Sequence, residues 1–210
     1  IIVKLYLINT YHKMVKVLEL FSGTRSVGKC CDELGWESIS VDLIMEADHK
    51  CDIMEFDYKQ YSKDEFDIVW ASPPCTEYSK AKTRGIRDIE GANKIVMKTI
   101  EIIKYFDCKY WFIENPETSL LKKQSFMDEF KYYDADYCMY GKPYRKRTRF
   151  WTNREYDNIF LSCDKYCGSF ENGKHIGSCG NGRKKYSDKT YSQEEKYSIP
   201  SDLIYSLLLD

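Results

Sequence analysis

From Met14 onward, short apolar runs alternate with segments of helical period, and this alternation predicts the elements. Val15 to Phe21 reads as a strand, Ser22-Gly23-Thr24 as a turn, and Val27 to Leu34 as a short helix stopped by Gly35. Trp36 to Leu43 predicts a second strand ending in Asp42, and a third short strand surrounds Cys51-Asp52-Ile53. Ile68 to Ala71 is apolar throughout, as in a strand buried on both faces of a parallel sheet; Pro73 and Pro74 then end the ladder. Ala92 to Phe106 has apolar residues at 95, 96, 100, 103 and 106, a helix period. Tyr110 to Ile113 is a fifth strand leading into Glu114-Asn115-Pro116, Leu120 to Phe130 suggests a further helix, and Tyr132 to Tyr140 and Arg147 to Thr152 two later strands. No internal repeat is present. The pattern argues a three-layer α/β fold around a mainly parallel sheet.

At 210 residues the chain suits one domain with a substantial core. A net charge of −1 excludes a uniformly basic nucleic-acid binder, so such binding must use local patches. Three are present: Lys80, Lys82, Arg84 and Arg87; Lys142, Arg145, Lys146, Arg147, Arg149 and Arg154; and Arg183, Lys184 and Lys185. Nine cysteines, an odd number spread along the chain with no secretory signal, favour a reducing intracellular compartment and free or metal-bound thiols. No run is long enough to cross a bilayer. Ile1 to Lys13 reads as an N-terminal extension without functional signal.

Gly23 to Cys30 nearly spells a phosphate loop, but Cys30 stands where the Mg²⁺-binding hydroxyl belongs, and no apolar strand ending in Asp follows. The other reading is a strand-to-helix turn where Gly23 lets a cofactor approach the backbone, with Asp42, nineteen residues on, gripping ribose hydroxyls.

Cys75 follows the double proline and is delivered at the carboxyl end of its strand, where open α/β sheets place ligands. A Cys-His hydrolase would need one of His12, His49 or His175, none compellingly placed. The H-x-E and P-C-x-x-C signatures of a zinc deaminase are absent. A phosphatase loop would want Arg where Ala81 stands. An inert buried cysteine is the commonest alternative, against which the double proline argues.

Ser72-Pro73-Pro74-Cys75, Glu114-Asn115-Pro116 and Arg145-Lys146-Arg147-Thr148-Arg149 occur in the order typical of cytosine-C5 DNA methyltransferases, and the chain resembles a short, virus- or phage-like member of that family. Glu19-Leu20-Phe21-Ser22-Gly23, Cys51-Asp52-Ile53 and Ile199-Pro200-Ser201-Asp202-Leu203 are similar to its first, third and closing motifs. The resemblance implies a Rossmann-like S-adenosylmethionine-dependent methyltransferase fold with a mainly parallel mixed sheet. Residues 14–150 would form the catalytic domain, 151–195 a reduced target-recognition insert, and 196–210 a segment completing the catalytic domain. Cys75 would add to cytosine C6, Glu114 would hydrogen-bond the N3/N4 edge and supply a proton, Arg149 would contact O2, and Arg147 would orient the Cys75 loop. Phe21, Ser22, Gly23 and Pro73 would lie against the cofactor, with Asp42 on its ribose and Asp52 with Ile53 on its adenine. Double-stranded DNA is the implied partner, in the cytoplasm or a host nucleus; oligomeric state is left open.

An amino-methyltransferase would carry an aromatic residue in place of Cys75. Two alternatives stay open: an RNA-directed branch of the same family, and a non-catalytic nucleic-acid-binding subunit that kept the fold. The chain departs from the family pattern at Arg25, Ser26, Pro116 and Arg145, none of which removes a catalytic atom. The insert has its own signal, since Cys163, Cys167, His175 and Cys179 are spaced as a Cys₃His zinc site could be.

Overall fold

The computed structural model describes residues 14–157, 160–177 and 191–209. Seven strands form one sheet in the order β3-β2-β1-β4-β5-β7-β6. They are β1 (Lys16–Leu20), β2 (Glu37–Asp42), β3 (His49–Lys50), β4 (Ile68–Ala71), β5 (Tyr110–Pro116), β6 (Tyr132–Asp136) and β7 (Arg147–Thr152). β1 to β5 pair in parallel, and β7 is antiparallel to both β5 and β6. The expected three-layer α/β arrangement with a mainly parallel mixed sheet is therefore present.

Side-chain alternation divides the core between the two faces. Leu18, Leu20, Val69, Ala71, Ile113 and Trp151 meet helix α2 (Ile89–Tyr105) on one side. Val17, Ile68, Trp70, Phe112 and Phe150 meet helices α1 (Ser26–Leu34) and α4 (Ser201–Leu209) on the other. The last helix is bound to the body: Arg154 donates from Nη1 to the Leu207 and Leu208 carbonyls at 3.0 and 3.1 Å, satisfying two orphan C-terminal acceptors. A short helix α3 (Gln193–Tyr197) precedes it, started by a Ser192/Glu195 capping box.

Several boundaries differ from the sequence expectation. The third strand is His49–Lys50, so Cys51, Asp52 and Ile53 lie in the turn beyond it. Helix α2 begins earlier than its apolar period, because the Asp88 side chain accepts the Gly91 N–H and caps it. Leu120 to Phe130 is not an α-helix but two 3-10 turns, Leu120–Lys123 and Ser125–Met127, each closed by its own cap. β6 stops at Asp136, and Tyr137–Tyr140 is a 3-10 turn ended by Gly141 at φ 86°. β5 runs on to Pro116 because antiparallel β7 continues to pair with it. Among the described residues no helix is long and apolar enough to cross a membrane.

Candidate active site

β4 and β5 run side by side in parallel, so their carboxyl ends deliver Cys75 and Glu114 to one place. Asn115 fixes the approach: its Nδ2 donates to the Pro73 carbonyl at 2.9 Å within the buried interior. Glu114 is only 7% exposed. It accepts from the Tyr137 hydroxyl at 3.3 Å, and Lys146 Nζ stands 3.9 Å from its Oε1. Burial raises the Glu114 carboxyl above its usual range, with Lys146 and Tyr137 opposing. Burial also pushes the Cys75 thiol up; the Glu114 charge adds to the rise and Lys146 opposes it. Thiol, carboxyl and ammonium thus form one electrostatic unit: the thiol and the carboxyl are raised by burial, and the Lys146 charge opposes both rises.

Arg149 is not part of that unit. Residues directly opposite in an antiparallel pair share a face, and Glu114 is opposite Phe150 whereas Arg149 is opposite Asn115. Arg149 therefore projects with Trp151 toward the α2 side, forks onto Asp134 at 2.8 and 3.0 Å, and lies over the Tyr132 ring. The strand register thus sets Arg149, the residue expected at cytosine O2, on the face opposite Glu114, and Lys146 is the cation at Glu114. Arg147 shares the Arg149 face and donates to Ser162 Oγ at 3.4 Å, while its carbonyl accepts the Glu117 N–H.

The residues expected at the cofactor gather near the carboxyl ends of β1, β2 and β3. The turn between β1 and α1 is held in left-handed backbone conformations at Phe21 (φ 57°), Gly23 (φ 49°) and Arg25 (φ 54°). For bulky residues this is strain that the surroundings must impose, as is common where backbone approaches a ligand. Asp42 imposes part of it by accepting the Gly23 N–H at 2.8 Å; its other oxygen takes the Ile44 and Met45 N–H groups. Three acceptances leave a carboxylate capacity for a further hydroxyl. Ser22 is buried, and its hydroxyl lacks a partner among the described residues. Asp52 accepts the Met54 N–H at 2.9 Å, and Ile53 packs into the core rather than standing free. A nucleoside-bearing cofactor fits this donor set and its unused acceptors.

Glu19 explains the run that resembled a phosphate loop. Its carboxylate accepts the Val27 and Gly28 N–H groups at 3.1 and 2.9 Å, capping α1 where Arg25 supplies no side-chain cap. A Cβ at Gly28 would stand 2.9 Å from Arg25 Nη2 and 3.1 Å from Glu19 Oε2, so this glycine leaves room for both the guanidinium and the carboxylate.

Residues 42–133 match the model for C-5 cytosine-specific DNA methylases. A probable DNA (cytosine-5)-methyltransferase of Frog virus 3 (isolate Goorha) is 39% identical over 156 residues, which is 67% of this chain and 72% of that protein. The chain belongs to the C-5 cytosine-specific DNA methylase family. Two solved structures are also similar: a mutant Spodoptera frugiperda DNMT2 (18% identity, TM-score 0.47, covering 71% of this chain and 53% of that one) and the S. pombe Dnmt2 methyltransferase (13%, 0.45, 70% and 51%). The chain thus spans about half the length of these two.

Other features of this family member were not anticipated. Leu43, Ile44 and Met45 are exposed apolar residues directly after Asp42, a run visible in the sequence. A cleft of 490 Å³ opens beside the turn, lined by Thr24, Ser26, Lys142, Ser198 and Pro200 among others; Cys75 does not line it. The basic clusters are largely consumed within the fold. Lys82 is paired with Glu77, Arg87 donates to the Ser79 and Lys82 carbonyls, and Lys142, Arg145 and Arg154 bind Ser198, Asp136 and the end of α4. Lys80 and Arg84 remain exposed beside Ile86, which is 96% exposed. Arg183, Lys184 and Lys185 lie outside the described residues.

The expected metal ligands come together in part. Cys163, Cys167 and His175 meet Cys138, with all four ligand atoms within 4.8 Å of one another. Cys179 lies outside the described residues. Cys138, 25 residues before Cys163, was missed because a spacing search looks along one segment only.

Proposed function

We propose that this chain is a DNA (cytosine-5)-methyltransferase that moves a methyl group from S-adenosylmethionine to C5 of a flipped-out cytosine in double-stranded DNA. The observation that carries the reading is the joining of Cys75 and Glu114 at adjacent strand ends, sharing Lys146 as counter-charge.

Cytosine C5 is a poor nucleophile until a group adds at C6. The Cys75 thiolate forms a bond to C6, and the electron pair displaced from the ring double bond becomes available at C5. Charge at N3 is met by Glu114, which burial keeps inclined to hold its proton and so to donate it. A protonated Glu114 is also neutral, which removes its repulsion of the Cys75 thiolate while Lys146 continues to attract it. Bound S-adenosylmethionine supplies an electrophilic methyl group on a sulfonium. Once C5 carries the methyl group, a base takes the C5 proton, the C6–S bond breaks to restore the Cys75 thiolate, and the N3 proton returns to Glu114. Asp42 and the buried Ser22 hydroxyl would hold the cofactor's ribose and amino-acid ends, with Asp52 near its adenine. Flipping the base costs a few kcal/mol, and exposed Lys80, Arg84 and Ile86 would meet the DNA.

Trapping on 5-fluorocytosine tests this, because fluorine at C5 prevents the elimination. Duplex DNA containing the analogue, incubated with S-adenosylmethionine, should give a covalent complex that Cys75→Ser abolishes. A complex on RNA alone would move the substrate to RNA; none on either would favour a non-catalytic binder.

A further inference from the structure

We infer that Cys138, Cys163, Cys167 and His175 form a structural zinc site that fastens the segment after β7 to the turn behind Glu114. The four ligand atoms lie within 4.8 Å of one another, with Cys163 Sγ 3.3 Å from His175 Nε2. A tetrahedral zinc with sulfur at about 2.3 Å has S···S edges of roughly 3.8 Å, so closure on the ion requires only a small contraction. Three thiols and one imidazole are a closed structural donor set, with thiolate softness selecting zinc over magnesium or calcium.

The local backbone is built to present these groups. The Lys165 N–H points at Cys163 Sγ, 3.4 Å away, and Lys165 (φ 77°) and Gly168 (φ 73°) take left-handed conformations that wrap the chain around the sulfurs. Strands β8 (Phe170–Glu171) and β9 (Lys174–His175) form a hairpin that delivers His175. Its two-residue turn, Asn172-Gly173, has both φ values positive, as a type I′ turn requires. Asp136 Oδ2 accepts the Cys163 N–H at 2.8 Å, and its other oxygen pairs with Arg145, a cation that offsets the excess thiolate charge.

The segment needs such a fastening. Phe160 stacks on Tyr133 at the edge of the core, but residues 161–176 contribute no buried residue, so apolar packing accounts for little of the path beyond Phe160. A metal supplies what a short segment without a core lacks. Cys138 is the anchor: it is 2% exposed and belongs to the body of the fold. It directly follows Tyr137, whose hydroxyl donates to Glu114. The site therefore ties the insert to the turn that braces the catalytic carboxyl. The metal-binding claim stands without the methyltransferase reading; only the consequence for Glu114 rests on it.

Elemental analysis of the full chain purified under reducing conditions should find one zinc per chain. Cobalt(II) replacing it should give the sulfur-to-metal charge-transfer and d–d bands of a tetrahedral thiolate site. Cys138→Ser and His175→Ala should each lose the metal, while Cys179→Ser keeps it. Because a variant at buried Cys138 can fail to fold for other reasons, alkylation mapping of the wild type gives a separate reading. Cys163 and Cys167 should resist iodoacetamide in the zinc form and react after chelation, with Cys179 reacting in both. A chain that holds neither zinc nor cobalt overturns the proposal, and so does protection of Cys179 by the metal.

Discussion

Glu114 and Arg149 lie on opposite faces of the sheet although their strands are hydrogen-bonded neighbours, because Glu114 is in register with Phe150 and Arg149 with Asn115. Proximity in the ladder is not proximity of side chains: a shift of one residue exchanges every side chain between the two faces. Lys146, outside the strand, reaches around to Glu114 instead.

That separation predicts opposite outcomes for two substitutions of basic residues. Lys146→Met should reduce trapping and methyl transfer by tenfold or more, since a loss of about 1.4 kcal/mol at the thiolate is tenfold, and its rate-versus-pH limb should move upward. Lys146→Arg should restore part of the rate. Arg149→Met should leave the pH profile in place and lower the melting temperature instead, because it removes a forked pairing with Asp134 worth roughly 1–3 kcal/mol. A collapse of trapping in a folded Arg149→Met protein would restore Arg149 to the reacting base.

Glu114→Gln separates thiol reactivity from catalysis. The Glu114 charge raises the Cys75 pKa, so the amide should move the midpoint of Cys75 alkylation to lower pH. Proton donation to N3 is lost in the same variant, so methyl transfer should fall by 10²-fold or more, the usual range for a general acid. Alkylation measured across pH, beside turnover, checks both directions; a midpoint that rises would contradict the coupling.

Asn115 fixes the Cys75 loop through the Pro73 carbonyl. Asn115→Leu keeps the size but withdraws the donor, leaving that carbonyl buried and unpaired. We expect ten- to a hundredfold slower trapping with cofactor affinity unchanged, measured by calorimetric titration with S-adenosylmethionine. Weakened cofactor binding with normal trapping would place Asn115 in the wrong half of the site.

The strand that ends in Ser72-Pro73-Pro74-Cys75 was legible because apolar runs and prolines report locally on backbone pairing, and the Gly35 stop and β7 followed for the same reason. What was not legible depends on contacts distant in sequence. The face on which Arg149 projects is set by register between β5 and β7, and the ligand role of Cys138 by the return of the insert over the Tyr137 turn. The Leu120 to Phe130 segment had the composition of a helix, yet the caps at Ser119 and Gln124 divide it into two short turns. The Asn172-Gly173 turn is a local signal of the same kind, since this residue pair favours the type I′ hairpin found there.

Glu19 gives a prediction about stability rather than rate. Its carboxyl is 4% exposed, and burial raises its pKa to about 7 despite the two N–H groups of α1 that favour its charged form. In the unfolded chain the value returns to about 4.5. Between these two values the native state holds a proton that the unfolded state has released, so stability must fall as pH rises through that window. The full effect is on the order of 3 kcal/mol, present below about pH 4.5 and gone once pH has passed about 7. Glu19→Gln cannot ionise, so the difference in unfolding free energy between wild type and variant, followed by urea titration, should change by a few kcal/mol over that window and be flat above it. Gln can accept from only one of the Val27 and Gly28 donors, so the variant should also be weaker than the protonated wild type by roughly 1–3 kcal/mol for the donor left unpaired. A difference independent of pH would mean that the two backbone donors offset the burial of Glu19 and leave its carboxyl at the unfolded value.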